Sequence, residues 1–226
     1  MKWGVPVRRS AAAIRYTCSI LGAFLTIFLQ TVETASAAGP RSLFGTLEAR
    51  SDNITLFPKW TGMLARHAAE RPVLEQPCDE RPQRRCEREK WSAFLESLRP
   101  LSRHAQLDAV NRRMNRKRYV IDPTNYGVPD YWATPIQFLY LNGDCEDYAI
   151  AKYLSLRDLG FDSDDLRIVV LEDLNLGIAH AVLAVYLGDD IFILDNQIDA
   201  VVTADVIRHY RPIYSVNERH WWLHRP

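Results

Sequence analysis

Three residue types that can act together on a carbonyl stand in one order along this chain. Cys145 follows the turn-forming pair Asn142-Gly143 and one aspartate, and a helical pattern starts at it. Ala149, Ile150, Tyr153, Leu154 and Leu156 recur with roughly helical spacing, and Gly160 supplies a stop. A thiol on the first turn of a helix sits among outward-facing backbone N–H groups at the positive end of the dipole, which favours the thiolate. Further on, His180 and Asp195 flank a candidate hairpin. If Gly188 and Asp189 form a two-residue loop, Leu187 faces Asp190 and Asp195 falls opposite Val182. His180 is two residues from Val182, so His180 and Asp195 share a sheet face as diagonal neighbours. Cys145, His180 and Asp195 are then a nucleophile, a base and the group that orients the base. Taken singly each has a plainer reading: a small core residue at a helix start, a hydrogen-bonded core histidine, an aspartate opening a turn before Asn196. Their combination favours catalysis.

The elements that must position them fall into two blocks. Trp60 to Glu70 has helical spacing and is expected to stop before Pro72. Residues 71–90, rich in proline and charge, read as a surface loop. Trp91, Phe94, Leu95 and Leu98 mark an amphipathic helix closed by Pro100, and Leu107, Val110 and Met114 lie on one face of a second helix from about Ser102 to Lys117. The basic run Arg112, Arg113, Arg116, Lys117 and Arg118 at its end suits a helix C-terminus as a solvated face. Residues 40–59 read as an extended lead-in, and 119–140, with prolines and interleaved aromatics, as a structured loop lining a cleft. After Gly160 the pattern is one of strands: Leu166 to Leu171, Ile178 to Leu187, Ile191 to Leu194, Val201-Val202 and Ile213 to Val216. Helices first and an antiparallel sheet after make an α+β domain.

Composition narrows the setting. Lys2, Arg8, Arg9 and Arg15 precede an apolar run from Cys18 to Leu29, and Ala35-Ser36-Ala37 fits a secretory cleavage pattern. The apolar run is shorter than the ~20 residues that span a bilayer. Residues 1–37 are therefore expected to be a signal peptide and 38–226 one exported domain. That domain carries three more acidic than basic residues, which is no electrostatic footprint for nucleic acid. After export, Cys78 and Cys86 can close a short loop, which leaves Cys145 reduced in an oxidising compartment. Zinc is a poor alternative, because the Cys78–Cys86 spacing is not that of a ligand pair.

The ordered set Gly143-Asp144-Cys145-Glu146-Asp147-Tyr148, Lys152-Tyr153, His180-Ala181-Val182-Leu183 and Leu194-Asp195-Asn196 resembles the bacterial transglutaminase-like cysteine proteinases, in their periplasmic LapG type. Tyr131-Trp132-Ala133-Thr134-Pro135, Tyr214-Ser215-Val216-Asn217-Glu218 and Trp221-Trp222 resemble that family too, so the likeness runs from about Leu43 to Trp222. One departure is Asn142, where glycine is expected. The resemblance implies a papain-like fold of the transglutaminase kind and a Cys-His-Asp triad. It implies calcium-dependent cleavage near the N-terminus of a large surface adhesin, at a dialanine site, in control of biofilm attachment. It also implies a periplasmic location and sequestration by an inner-membrane cyclic di-GMP receptor of the LapD type.

A physical argument stands beside the calcium expectation. Asp144, Glu146 and Asp147 crowd the thiol and would disfavour its thiolate. A bound Ca²⁺ would offset that charge, with Asn125 of the preceding loop as a further candidate ligand. Ordinary capping, with Asp144 as N-cap and acids in the first turn, is the competing reading. A transglutaminase or amidase on the same triad, or a non-catalytic peptide-binding module, are the alternatives to a protease.

Overall fold

The computed structural model describes residues 42–74 and 84–226; the expected signal peptide and Cys78 lie outside them. A short strand β1 (Leu47–Ser51) precedes six helices: α1 (Pro58–Leu74), α2 (Arg84–Leu98), α3 (Arg103–Asn115), α4 (Asp122–Asn125), α5 (Pro135–Leu141) and α6 (Cys145–Asp158). Six strands follow: β2 (Leu166–Asp173), β3 (Ile178–Leu187), β4 (Asp190–Leu194), β5 (Val202–Thr203), β6 (Tyr210–Val216) and β7 (Trp221–Arg225). The strands form one antiparallel sheet in the order β1-β7-β6-β2-β3-β4-β5. This is the expected α+β domain, and no helix among the described residues is long and apolar enough to cross a membrane.

The sheet separates two cores because side chains alternate between its faces. On the helix side, Ile168, Val170, Leu183, Val185 and Leu194 pack with Trp60, Trp91, Leu107, Met114, Phe138, Ile150, Tyr153 and Leu156. On the far side, Val169, Leu171, Val182, Ala184 and Ile193 pack under Leu43, Ile207 and Tyr210. Helix α6 is the axis of the first core. Every residue from Cys145 to Leu156 is buried, and the helix lies against β2 and β3 on one side and α3 and α5 on the other. A helix covered on all sides has no polar face to give away, which is why Ser155 bonds back to Ala151 and receives the indole N–H of Trp91.

Several expectations need correction. Helix α1 continues through Pro72 to Leu74; a proline in a last turn forfeits one backbone bond rather than a whole helix. The expected 71–90 loop is shortened at both ends, since α2 begins at Arg84. The lead-in holds β1, which pairs with β7 (Leu47↔Arg225 to Ser51↔Trp221). The 119–140 segment holds α4 and most of α5. A signal for α5 was present in the sequence: Thr134-Pro135-Ile136-Gln137 makes a full capping box with proline at the first helical position.

Candidate active site

The hairpin register is the expected one. Leu187 pairs with Asp190 and Leu183 with Leu194 around Gly188-Asp189, so Asp195 leaves β4 beside Val182. His180 lies buried where β3 runs on past its ladder with β4, and its Nε2 is 2.9 Å from Asp195 Oδ1. The same oxygen accepts the N–H of Gln197 at 2.8 Å, and Oδ2 accepts the hydroxyl of Tyr210 at 2.5 Å. Burial acts to raise the carboxyl's pKa. The bonds from His180, Gln197 and Tyr210 and the charge of His180 outweigh it, and the pKa lies below the ordinary value.

Asp195 is also where the two layers meet. From the far layer comes Tyr210. From the helix layer, Asn115 donates its amide to the carbonyl of Asp195 at 2.8 Å, and the charge of Asp195 acts on Lys152 of α6. Lys152 lies seven residues beyond Cys145, two turns along the same stripe of α6. It is fully buried, and its Nζ has no hydrogen-bond partner among the described residues. Burial pulls its pKa down to about 7.

Cys145 is the first residue of α6, buried and in no disulfide. Its Sγ lies 3.1 Å from Glu146 Oε2, to which it donates. Cys86 is disulfide-bonded; Cys78, its expected partner, lies outside the described residues.

The turn that delivers Cys145 is built for close approach. Asn142 adopts φ 66° with ψ −168°, a positive-φ extended conformation that is essentially glycine's. This accounts for glycine being expected there. Gly143 meets a harder constraint: a Cβ on it would lie 2.1 Å from Asp147 Oδ2. The turn is tied to neighbouring segments by Val120 N–H to Gly143 O at 2.8 Å and by the Asn125 amide to Asn142 O at 3.3 Å.

Asp144 does not behave as a capping residue. It occupies the N-cap without a side-chain cap bond, and its Oδ2 accepts instead the N–H of Asp122, 3.4 Å away. Two overlapping groups of carboxylates come within metal-binding range: Asp122, Asp144 and Asp147, all buried, and Asp122, Asp130 and Glu146. Asp144, Glu146 and Asp147, the acids named as candidate ligands from the sequence, lie in these groups together with Asp122 and Asp130, which the sequence did not single out. Nothing local marks Asp122 or Asp130, since they reach the site only through the fold. Asn125 reaches the same turn through its amide nitrogen.

These carboxylates fit a cation. Asp122 Oδ1, Asp144 Oδ1 and Asp147 Oδ2 are buried with no hydrogen-bond partner among the described residues, a costly condition for acceptors. Burial, followed by the charge of its acidic neighbours Glu146 and Asp122, pushes Asp144 up to about 10. Burial likewise lifts Asp122 to about 6, and burial with the charge of Asp144 holds Asp147 well above the usual carboxylate range. Hard oxygen ligands crowded together and short of donors are what calcium takes.

Comparison with known proteins agrees with this chemistry. The family model for the bacterial transglutaminase-like cysteine proteinases matches residues 67–223. Legionella pneumophila LapG is similar in structure, with 31% identity and a TM-score of 0.59 over 70% of this chain and 87% of that one. The same protein treated with EGTA matches at 31% identity and 0.60 over 71% and 86%. Its calcium-bound form matches at 31% and 0.59 over 70% and 87%. No curated protein matches the chain.

Proposed function

Because this chain belongs to the bacterial transglutaminase-like cysteine proteinases and has their LapG-type fold, we propose that it is a calcium-dependent endopeptidase with Cys145, His180 and Asp195 as its triad. The observation that carries the reading is the buried His180–Asp195 pair at 2.9 Å, taken together with a buried thiol on the first turn of α6. With Nε2 of His180 donating to Asp195, Nδ1 is left to take the thiol proton. The Cys145 thiolate attacks the scissile carbonyl. The backbone N–H of Cys145, at the helix start, stabilises the oxyanion. His180 then protonates the leaving amine, the acyl-enzyme forms, and water assisted by the same imidazole releases the acid. Asp195 holds the imidazole in the required tautomer throughout.

Asp122, Asp144 and Asp147, with Glu146, Asp130 and Asn125 around them, are the residues that would hold Ca²⁺. When bound there, the ion neutralises carboxylates beside the thiol. Glu146 links this cluster to the thiol, because its carboxylate accepts from Sγ.

The substrate in this reading is the N-terminal region of a large surface adhesin, cut at a dialanine in the periplasm. A LapD-type cyclic di-GMP receptor is the partner that sequesters the protease. The test is incubation of the purified protein with an adhesin N-terminal region carrying the dialanine, in calcium and in EGTA. Cleavage in calcium, lost in EGTA and in Cys145→Ala, is the expected result. Full cleavage by Cys145→Ala would end the cysteine-protease assignment, and undiminished cleavage in EGTA would end the calcium one. Incorporation of an added amine in place of water would move the assignment to a transglutaminase on the same three residues.

A further inference from the structure

Asp195 can orient His180 only if its own carboxylate is held, and the group that holds it comes from a distant strand. Tyr210 opens β6, which pairs with β2 through Asp173↔Tyr210, while β2 pairs with β3 through Asp173↔Ile178. Tyr210 thus reaches the pair from across the sheet. It is buried, and its hydroxyl lies 2.5 Å from Asp195 Oδ2. Its ring stands edge-on to His180, with centroids 5.8 Å apart and planes at 62°. Phe44 packs edge-on against the same ring, also at 5.8 Å.

We propose that Tyr210 is a positioning residue for the catalytic pair: its hydroxyl fixes one oxygen of Asp195 so that the other stays on the imidazole. The reading rests on the triad assignment above. A carboxylate rotates about its last bond, and its oxygens exchange places unless both are engaged. Oδ1 already serves His180 and Gln197, and Tyr210 closes the remaining freedom at Oδ2. Toward an ionised carboxylate the phenol can only donate. Burial and the negative charge of Asp195 raise its pKa, so it keeps its proton while Asp195 keeps its charge. The ring adds a wall that limits tilt of the imidazole. Tyr210 touches neither the thiol's proton nor the substrate in this scheme.

The test is Tyr210→Phe, which keeps the ring contacts with Phe44 and His180 and removes only the hydroxyl. Two readouts are taken in calcium: steady-state cleavage of the adhesin N-terminal region, with active sites counted by thiol alkylation, and the low-field proton resonance of the His180–Asp195 hydrogen bond. A hydrogen bond to a charged group corresponds to roughly a 10- to 100-fold effect. The expected result is a kcat per active site lower by about that factor, KM unchanged, and a shifted or exchange-broadened resonance. A role confined to stability would lower the number of active sites and leave kcat per site intact. An unchanged kcat or an unchanged resonance overturns the proposal. Asp195→Asn, run in parallel, separates the failures: if it retains full kcat the triad assignment falls and Tyr210 with it, whereas if it is inactive while Tyr210→Phe is not, only the role of Tyr210 falls.

Discussion

Replacing Gly143 with alanine should damage stability and calcium binding together, although the change adds one methyl group. The added Cβ would lie 2.1 Å from Asp147 Oδ2, 2.7 Å from its Cβ and 2.8 Å from its Cγ. Turning the Asp147 side chain relieves the first contact but not the second, because the Asp147 Cβ is fixed by α6. The turn or the helix start must therefore move. Overpacking of this kind costs roughly 1–3 kcal/mol. Asp147 Oδ1 also accepts the N–H of Ala133 at 2.7 Å. Losing that bond leaves a buried donor unmade, at roughly 1–3 kcal/mol more. The reduced freedom of the unfolded chain returns at most about 1 kcal/mol. A net loss of about 3 kcal/mol corresponds to a fall in Tm of about 6–12 °C for a domain of this size. The wild type should gain about 2.7 kcal/mol from calcium at a hundred times its Kd, and Gly143→Ala should lose most of that gain. Thermal unfolding by circular dichroism, in calcium and in EGTA, reads both effects. A Tm within ~2 °C of wild type with the calcium shift intact would refute the reasoning, which depends on Asp147 being pinned where it is.

The other expectations are simpler to check. Cys145→Ala, His180→Ala and Asp195→Ala should each fold and each lose most cleavage, with double variants little worse than single ones, because the three act as a unit; additive losses in the kinetics would contradict this. The folded-state pKa values of Asp122 and Asp144 are raised to about 6 and about 10 from 3.8. Stability in EGTA should therefore be greatest below about pH 4 and fall as pH rises through neutral. Calcium should abolish that fall, and a flat EGTA profile from pH 4 to 8 would show that the carboxylates are not buried and crowded as placed. Lys152→Met should stabilise the protein most below pH 7. The gain should shrink toward pH 10, because the lysine's folded pKa of about 7 lies under its ordinary 10.5, and chemical denaturation at pH 6 and 9 compares the two. Asn142→Gly should leave the Tm unchanged or slightly raised, since φ there is 66°; a marked loss would mean the Asn142 side chain matters more than its backbone angle.

Sequence sufficed wherever the determinant is local. A two-residue loop at Gly188-Asp189 sets the register of its own hairpin, so the proximity of His180 and Asp195 follows from counting. Helix α6, its stop at Gly160 and the place of Cys145 on its first turn follow from spacing and from residues within one or two turns. The same holds for α3, whose Ser102 cap and buried Leu107, Val110 and Met114 obey helical period. Even the missed α5 had its signal in Thr134-Pro135-Ile136-Gln137.

Tertiary structure decided whatever depends on segments far apart in the chain. Asp144 had two readings that its neighbours could not separate; in the fold its side chain makes no capping bond and accepts the N–H of Asp122 instead. Asp122 and Asp130 join the acid cluster because the 119–131 loop is laid against the 142–147 turn, a contact no periodicity encodes. β1 finds its partner at the far end of the chain in β7, and Tyr210 reaches Asp195 only because β6 pairs with β2. Hydrophobic period and turn chemistry act over a few residues, whereas long-range pairing is set by which buried surfaces and unsatisfied polar groups fit together once the core closes.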